Sequence, residues 1–251
     1  MPPARSAAAR RVAAFCVAAG VAALGAGAAR AQTPVAATAA PDTGRFEAEV
    51  RALEARDREA PPAPGGVLFV GSSSVRLWCT LDRDFPAVRV LNRGFGGSTM
   101  AEVARYAPRL VLPARPRTVV LYAGDNDLAE GRTPAEVRDA FRRFATLLRD
   151  SLPDARLVVI AVKPSPSRAA LLGAVRAANA MLRAAARRDP RLTYVDVFTP
   201  MLGHDGRPRG ELFGADGLHM NSAGYALWRA RLLPVLAADG GRAGGGAPGA
   251  G

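Results

Sequence analysis

The sequence has few cysteines and histidines, and both scarcities limit the chemistry that the chain can perform. Of its two cysteines, Cys16 lies in an apolar N-terminal stretch, which leaves Cys79 for the folded part. A single cysteine can form neither an internal disulfide nor a metal cluster, and we expect Cys79 to be a small buried side chain beside Trp78. A reaction that needs an imidazole must use His204 or His219, because the chain has no other histidine.

The sequence is also short of lysine, although its net charge is +12. Lys163 is the one lysine among 34 basic residues. Four of the arginines lie within residues 1–31, and the others are scattered over predicted helices and turns instead of forming one block. We therefore expect a solvated basic surface and no nucleic-acid partner. A weak attraction to an anionic polysaccharide or cell envelope is the alternative.

The N-terminal residues carry the pattern of an export signal. A basic start is followed by an apolar stretch of small residues, and "ARA" at 29–31 fits a cleavage site before Gln32. We predict a signal peptide over residues 1–31, a flexible leader over 32–44 and a disordered glycine-rich tail over 239–251. The mature protein would then be periplasmic or extracellular, without stable insertion in a membrane. An uncleaved membrane anchor is the alternative, although the stretch is short and rich in alanine and glycine.

Between residues 45 and 238, short apolar segments alternate with amphipathic ones. The apolar segments predict five strands, at 66–71, 87–94, 117–124, 155–164 and 191–199. The amphipathic segments predict five helices, at 45–60, 98–111, 133–150, 167–188 and 221–238. Strands that are apolar throughout and separated by helices form parallel sheets covered on both faces. The sequence thus predicts one α/β domain, a three-layer α/β/α sandwich of the flavodoxin-like type around a five-stranded parallel sheet.

Polar, glycine-rich segments follow the predicted strands at the points where they end. They are "GSSS" at 71–74, "NRGFGGST" at 92–99, "AGDND" at 123–127 and, before the last helix, "ADGLHMN" at 215–221. In a parallel α/β sheet, ligands bind at the carboxyl ends of the strands. We therefore expect these four segments to converge on one rim of the sheet and to form the functional site there.

A serine at this rim could act as a nucleophile if a base lies within hydrogen-bond reach. His219 follows Asp216 by three residues, so that in a helical turn both lie on the same face. Asp216 could then hold one ring nitrogen while the other accepts the serine proton, as in a catalytic triad. His204 lies in a turn-rich loop, and we expect it on the surface. The residues alone leave the nucleophile open among the serines at 72–74.

The other rim segments can supply donors for a negatively charged oxygen. The Gly96–Gly97 pair lets the backbone approach a ligand and present an N–H, and Asn126 can add a side-chain amide. Each feature also has an ordinary structural explanation. Glycines often serve only to make turns, an asparagine between two aspartates can cap a turn, and serines after a strand more often form a turn than a catalytic site.

Together and in this order, the four segments resemble the sequence blocks of the SGNH hydrolases, also called GDSL-type esterases and lipases. The family's Gly-Asp-Ser block is matched by "GSS" at 71–73, and its glycine block by "NRGFGGST" at 92–99. Its Gly-x-Asn-Asp block is matched by "GDND" at 124–127, and its Asp-x-x-His block by "DGLH" at 216–219. The resemblance covers residues 66–236.

The resemblance implies a role for each matched residue. Ser73 would be the nucleophile, and His219, oriented by Asp216, would be its base. The oxyanion would be held by the N–H groups of Ser73 and Gly97 and by the side chain of Asn126. The implied fold is the α/β SGNH hydrolase fold. The implied reaction is ester hydrolysis through an acyl-enzyme, without a metal or an organic cofactor.

One residue departs from the family pattern. Ser72 stands where the family has aspartate, although "GSSSVRLW" is similar to a variant that recurs in bacterial members. The resemblance still selects Ser73 as the nucleophile. We expect its neighbours Ser72 and Ser74, together with Asp125, to shape the turn and to bind the substrate.

The resemblance implies a substrate among lysophospholipids, thioesters and acetylated sugars, and the composition favours small substrates. Aromatic residues make up 6% of the chain, and the sequence has no long apolar insertion that could form a lid over a lipid. We therefore expect a small-molecule or carbohydrate ester with a short acyl chain as the substrate. A lysophospholipase or thioesterase is the alternative.

Three other classes of protein could use the same rim. A non-catalytic module could bind a glycan there. A nucleotide-binding flavodoxin-like protein is disfavoured, because no G-x-G-x-x-G or P-loop pattern follows the first strand. A metal-dependent phosphohydrolase would have to use Asp125, Asp127 and Asp216 as ligands.

Overall fold

The computed structural model describes residues 44–240 of the chain. The predicted signal peptide, and almost all of the predicted leader and tail, lie outside the described residues. Within residues 44–240, no helix has both the length and the hydropathy that a membrane-spanning segment needs.

Five strands form one sheet, and all of their pairings are parallel. The strands are β1 (Val67–Gly71), β2 (Val90–Gly94), β3 (Thr118–Tyr122), β4 (Arg156–Ile160) and β5 (Leu192–Val195). Their order in the sheet is β2-β1-β3-β4-β5, the flavodoxin-like order. Every residue of the inner strands β1 and β3 is buried. The predicted five-stranded parallel sheet is confirmed.

The described part of the chain has eight α-helices. They are α1 (Glu47–Glu59), α2 (Ser73–Arg76), α3 (Leu81–Asp84), α4 (Met100–Leu110), α5 (Asp125–Ala129), α6 (Pro134–Ser151), α7 (Leu172–Ala186) and α8 (Ser222–Gly240). The five long helices agree with the predicted ones. The helix predicted from residue 167 begins instead as a 3₁₀ segment, Pro166–Leu171, in which the backbone of Arg168 is not helical.

The direction of each crossover decides which face of the sheet a helix covers. From β1 to β2 the chain moves one way across the sheet, and from β2 to β5 it moves the other way. Because such crossovers are right-handed, α2 and α3 lie on one face, whereas α4, α6 and α7 lie side by side on the other. Helix α1 packs against α4, and α8 joins the first face, where Trp228 contacts Trp78. The predicted three-layer sandwich is confirmed.

Two of the covering helices begin with complete capping boxes, in which two orphan N–H groups are satisfied reciprocally. At α4, the Thr99 side chain accepts the Glu102 N–H, and the Glu102 carboxylate accepts the Thr99 N–H. Thr133 forms the same box at α6, where Pro134 is the first helical residue as predicted. The box at Thr99 matters for the site because it fixes the N-cap of α4 only two residues after Gly97.

Aromatic side chains fill the core between the sheet and α8. Phe69 of β1 packs against Trp78 and Phe85, with ring centroids 5.8 and 5.5 Å apart. Trp228 of α8 packs against Trp78 at 6.0 Å and against Tyr122 of β3 at 4.7 Å. All five rings are fully buried. They fix the inner strands against α8, and with them the turn that leads from β1 into α2.

The prediction that Cys79 is buried is wrong. The turn after α2 directs the indole of Trp78 into the core, where its Nε1 donates a 2.6 Å hydrogen bond to Asp84. Cys79 is the next residue of this turn, and its side chain faces solvent as a consequence.

Candidate active site

Ser73 lies where β1 ends and α2 begins, at the carboxyl edge of the sheet. The chain turns sharply at Gly71, whose φ of 150° suits glycine, and a Cβ there would collide with the carbonyl oxygen of Tyr122. The Ser72 N–H donates to that same oxygen at 3.0 Å. Ser73 is therefore the first residue of α2. Its side chain is half-buried, whereas those of Ser72 and Ser74 are fully buried.

His219 reaches Ser73 from a separate turn, which we call the His219 turn (residues 214–220). The ring Nε2 lies 3.1 Å from Ser73 Oγ, and Nδ1 lies 2.6 Å from Oδ2 of Asp216. The turn closes on itself through a 2.8 Å hydrogen bond from the Gly214 N–H to the His219 carbonyl. The structure thus brings a hydroxyl, an imidazole and a carboxylate into one hydrogen-bonded chain.

The Asp216 carboxylate is held in its ionised form. Its Oδ1 accepts the N–H groups of Leu218 at 2.9 Å and of His219 at 3.0 Å. These two bonds, together with the contact to the His219 ring, hold the pKa of Asp216 well below its ordinary value. Because a carboxylate can only accept hydrogen bonds, Nδ1 of His219 carries the shared proton. Nε2 is then free to accept a proton from the Ser73 hydroxyl.

Gly97 and Asn126 are neighbours at the same edge of the sheet. Gly97 belongs to the segment between β2 and α4, which we call the Gly97 loop (residues 95–99), and Asn126 lies on α5 directly after β3. A Cβ at Gly97 would lie 3.7 Å from Asn126 Nδ2. That nitrogen donates one hydrogen bond, to the Ser98 carbonyl at 3.1 Å, and its second N–H remains for a ligand. The Gly97 N–H has no acceptor among the described residues, so the two groups together can hold an oxyanion.

The start of the Gly97 loop is fixed against α2, the helix that begins with Ser73. Near the end of β2, the Asn92 side chain donates to the Val75 carbonyl at 2.8 Å and accepts the Gly94 N–H at 2.9 Å. Gly94 itself has no room for a side chain, since a Cβ there would collide with the backbone of α2. This close packing brings the loop and the serine to the same part of the rim.

Helices α1 and α5 support the Gly97 loop at its two ends. The Gly96 N–H donates to the Glu49 carboxylate at 2.8 Å, and the ring of Phe46 fills the space that a Gly96 side chain would need. Just after the loop, the Met100 N–H donates to Asp127 Oδ2 at 2.8 Å. Burial of that carboxyl raises the pKa of Asp127 to about 6. The loop is therefore held by residues from two distant parts of the sequence.

An ion cluster of the buried Asp125 and Lys163 and the half-buried Arg168 adjoins Asn126. The Lys163 ammonium donates to Asp125 Oδ2 at 2.7 Å and to the Tyr122 hydroxyl at 3.2 Å. The Arg168 guanidinium lies 3.1 Å from the same carboxylate oxygen and also donates to Asn126 Oδ1 at 2.9 Å. Burial opposes ionisation of Asp125, but the attraction of the two cations prevails and lowers its pKa.

The residues expected to bind substrate are placed differently from the prediction. The hydroxyls of Ser72 and Ser74 are fully buried and have no hydrogen-bond partner among the described residues. The Asp125 side chain is 5% exposed, and its carboxylate is paired with two cations. Because these three side chains lie beneath the surface of the site, the placement does not fit contact with a substrate. The placement instead suits a structural role, in which Ser72 and Ser74 shape the turn around Ser73 and Asp125 anchors α5.

Sequence reasoning missed Lys163 and Arg168 as parts of this site, and it gave Asp127 a role only as a metal ligand of an alternative class. A lone lysine directly after an apolar strand is a signal that could have identified Lys163, because a buried ammonium needs a carboxylate partner. Arg168 carries no such signal in a chain so rich in arginine. His204 is exposed, as predicted.

The three aspartates that a metal-dependent phosphohydrolase would need have other partners. Asp125 pairs with the Lys163 ammonium. Asp127 accepts a backbone N–H, and Asp216 contacts the His219 ring. Among the residues that the structure describes, no three His, Cys, Asp or Glu side chains are grouped as metal ligands.

Comparison with known proteins agrees with the fold and with the sequence segments. The model of the GDSL-like lipase/acylhydrolase family matches residues 63–227. Similar solved structures include a GDSL-like lipase from Bacteroides thetaiotaomicron, with 22% identity, a TM-score of 0.64, and coverage of 78% of this chain and 98% of that one. No curated protein sequence matches the chain significantly.

Two further structures show the same fold. One is a carbohydrate esterase family 3 protein from Talaromyces cellulolyticus, with 15% identity, a TM-score of 0.59, and coverage of 71% of this chain and 99% of that one. The other is the lipase/acylhydrolase from Enterococcus faecalis, with 22% identity, a TM-score of 0.55, and coverage of 70% and 96%.

The family match extends over more than half of the chain and includes all four rim segments, from the serines after β1 to the His219 turn. The structural similarities add agreement of the fold. The chain therefore belongs to the GDSL-like lipase/acylhydrolase family and is an ester-hydrolysing enzyme.

Proposed function

We propose that the protein is a serine esterase in which Ser73 is the nucleophile, His219 the general base and Asp216 the residue that orients the imidazole. One observation carries the assignment: the hydrogen-bonded chain from Ser73 Oγ through His219, at 3.1 Å, to Asp216, at 2.6 Å. A serine hydroxyl is a weak nucleophile and becomes reactive when a neighbouring base removes its proton. The ionised Asp216 supplies the charge that balances the imidazolium formed in that step.

In the first half of the reaction, Ser73 Oγ attacks the ester carbonyl carbon while its proton passes to His219 Nε2. The carbonyl oxygen becomes an oxyanion, which accepts hydrogen bonds from the N–H groups of Ser73 and Gly97 and from Asn126 Nδ2. His219 then returns the proton to the alcohol oxygen, the ester C–O bond breaks, and the acyl group remains on Ser73. Water attacks this acyl-enzyme by the same proton path and releases the acid.

We infer that the substrate is an ester of a short acyl group, such as an O-acetylated carbohydrate. Among the described residues, Leu77 is the one large hydrophobic side chain that is exposed, at 37%, so the surface offers little apolar area to a lipid. The side chains of His219 and Asp216 are 34% and 51% exposed, and such an open, polar rim suits a hydrated alcohol. A family 3 carbohydrate esterase shares the fold, which supports the inference by analogy.

We also infer that the enzyme acts outside the cytoplasm, in the periplasm or the extracellular medium. The support is the N-terminal sequence, in which a basic start, an apolar stretch and "ARA" at 29–31 precede Gln32. Mass spectrometry of the protein recovered from cells tests this inference, since export with cleavage gives an N-terminus at Gln32.

Substitution of Ser73 tests the proposed nucleophile. We expect Ser73→Ala to lower kcat/KM for p-nitrophenyl acetate by roughly 10⁴-fold or more and to leave the thermal midpoint close to the wild-type value. Ser72→Ala and Ser74→Ala are matched controls, because each removes a neighbouring hydroxyl that is buried and has no partner among the described residues. A fluorophosphonate should label the wild-type enzyme at Ser73. Undiminished turnover by Ser73→Ala would exclude this nucleophile, and sugar binding without labelling would indicate a non-catalytic glycan-binding module.

An acyl series tests the substrate class. We expect kcat/KM for p-nitrophenyl esters to fall steeply from the acetyl to the octanoyl ester, and we expect acetate release from an acetylated polysaccharide. The reverse order of acyl preference would instead favour a lysophospholipase or a thioesterase.

A further inference from the structure

The orientation of the Asn126 amide decides whether it helps or hinders the reaction. With Nδ2 toward the substrate, the side chain donates to the developing oxyanion. Rotation by 180° would exchange Nδ2 for Oδ1, and an amide oxygen can only accept hydrogen bonds. The same residue would then repel the negative charge, so the site needs a contact that prevents the rotation.

Two partners with opposite hydrogen-bonding character define the orientation. The Ser98 carbonyl accepts from Nδ2 at 3.1 Å, and the Arg168 guanidinium donates to Oδ1 at 2.9 Å. A guanidinium can only donate, and a carbonyl can only accept. A rotated amide would therefore lose both bonds. Its Nδ2 would face the Arg168 guanidinium, donor against donor, and its Oδ1 would face the Ser98 carbonyl, acceptor against acceptor.

Arg168 is itself held in place by a chain of buried charges. Its Nη1 lies 3.1 Å from Asp125 Oδ2, as an ion pair without directed hydrogen-bond geometry. Asp125 is also bonded to the Lys163 ammonium at 2.7 Å. The next residue back along the chain, Ser167, is tied to the His219 turn, since both its N–H and its hydroxyl donate to the Gly217 carbonyl at 3.1 Å. The arginine is thus fixed before any substrate binds.

We propose that Arg168 is a positioning residue, which locks the Asn126 amide in the orientation that presents its N–H to the oxyanion. The inference rests on the proposed function, in which Asn126 is an oxyanion donor. A forked guanidinium is suited to this task because Asp125 and Asn126 are consecutive, so that its two nitrogens can contact one acceptor on each. A lysine carries its donors on one nitrogen, which cannot occupy the positions of both guanidinium nitrogens at the same time.

A double-mutant cycle distinguishes positioning from a purely structural role. We expect Arg168→Gln to lower kcat for p-nitrophenyl acetate by about 10-fold to 100-fold, with KM changed less than about twofold, because misplacement of a catalytic group acts on the transition state. In an Asn126→Ala background, the same substitution should change kcat by less than about twofold, since no amide is left to orient. Arg168→Lys keeps the charge beside Asp125 and therefore keeps the fold, yet it should lose kcat as well.

The controls separate failure of this inference from failure of the proposed function. Arg176→Gln removes an exposed arginine of α7, which stacks on the Phe198 ring at 5.0 Å, and should leave kcat unchanged. If Ser73→Ala abolishes activity while Arg168→Lys keeps full kcat, the positioning role is overturned and the nucleophile stands. An equal loss from Arg168→Gln with and without Asn126 would also overturn it. If Arg168→Gln does not fold, the cycle is run with Arg168→Lys. Full kcat in that variant, or an equal loss of kcat with and without Asn126, would then overturn the positioning role.

Discussion

The two sides of the active site are constructed in opposite ways. On the oxyanion side Gly97 is exposed, but Asn126 is only 9% exposed, and the nearby Asp125 and Lys163 are 4% and 1% exposed. On the other side, the His219 and Asp216 side chains are 34% and 51% exposed. Donors that stabilise charge are most effective when they are rigid and shielded from water. The proton-transfer group must instead reach the alcohol and the water that enter from solvent, so the difference in burial follows from the difference in task.

The two sides also differ in how far along the chain their contacts reach. Asp216 orients His219 from three residues away. The oxyanion side depends on partners that are distant in sequence, since 42 residues separate Asn126 from Arg168 and 47 separate Gly96 from Glu49. Apart from the hydrogen bonds from Ser167 to the Gly217 carbonyl, we therefore expect the orientation of His219 to depend mainly on residues of its own turn and the oxyanion side to depend on remote ones.

Loss of the imidazole should give the largest effect. We expect His219→Ala to lower kcat/KM for p-nitrophenyl acetate by roughly 10⁴-fold to 10⁶-fold, since the nucleophile loses its base. Because the residue lies in an exposed turn, the free energy of unfolding in urea should change by no more than about 0.5 kcal/mol. His204→Ala removes the other, exposed histidine and should keep full activity. More than a hundredth of wild-type activity in His219→Ala would contradict the assigned base.

The pair of Asp216 and His219 could be predicted from the sequence because the contact between these two side chains is local. An aspartate and a histidine three residues apart can be recognised in a single segment, and the strands could be recognised as short apolar segments. Predicted strand ends were less accurate. Strand β4 ends at Ile160, although Ala161 and Val162 are also buried. Apolar residues in the sequence mark what is buried in the core, and the core extends beyond the paired residues of the strand.

The support of the oxyanion side could not be predicted in the same way. Contacts such as that of Glu49 with Gly96, or of Arg168 with Asn126, join distant segments and leave no periodic pattern in the sequence. The short helix α5 was also missed, because five residues are too few to show helical periodicity, whereas a helix was expected after the serines that follow β1. Helices α2 and α5 both carry site residues at their first or second position. A glycine lies between strand and helix in both cases, Gly71 at the end of β1 and Gly124 after β3.

Removal of the oxyanion amide should give the second largest effect. We expect Asn126→Ala to lower kcat by about 10²-fold to 10³-fold, with little change in KM, because the lost hydrogen bond forms with the oxyanion. Asn179 on α7 is a matched control. Its buried amide accepts the Val162 N–H at 2.8 Å and donates to the Val162 carbonyl at 2.9 Å, so neither bond involves a member of the triad or an oxyanion donor.

Asn179→Ala should therefore show the opposite profile to Asn126→Ala. It leaves two buried backbone groups without partners, so we expect a loss of about 1–3 kcal/mol in the free energy of unfolding and an unchanged kcat. Steady-state kinetics and urea unfolding of both variants check the pair. Equal kinetic losses in the two variants would mean that Asn126 acts through the fold and not on the reaction.

The two aspartates that support the two sides should respond to pH with opposite signs. Burial raises the pKa of Asp127 to about 6, above the ordinary value of about 3.9 in an unfolded chain. The native state therefore binds the proton more tightly than the unfolded state does, and the stability that this proton contributes is lost as the pH rises from about 4 through 6. The Asp216 carboxyl, whose pKa is lowered, contributes stability that is lost only in strong acid.

Asp127→Asn isolates the pH-dependent contribution of the Asp127 carboxyl to stability, which is the smallest of the expected effects. An asparagine can still accept the Met100 N–H but carries no charge, and Asp125 and Arg132, which also act on the Asp127 carboxyl, remain in place. At pH 8, we expect the free energy of unfolding in urea to be higher for the variant than for the wild-type enzyme by up to about 3 kcal/mol. This is the free energy that corresponds to a pKa change from 3.9 to about 6. At pH 4, where both side chains are neutral, the difference should approach zero. Asp216→Asn should show no gain at pH 8, and a pH-independent difference for Asp127→Asn would mean that the buried carboxyl does not titrate in this range.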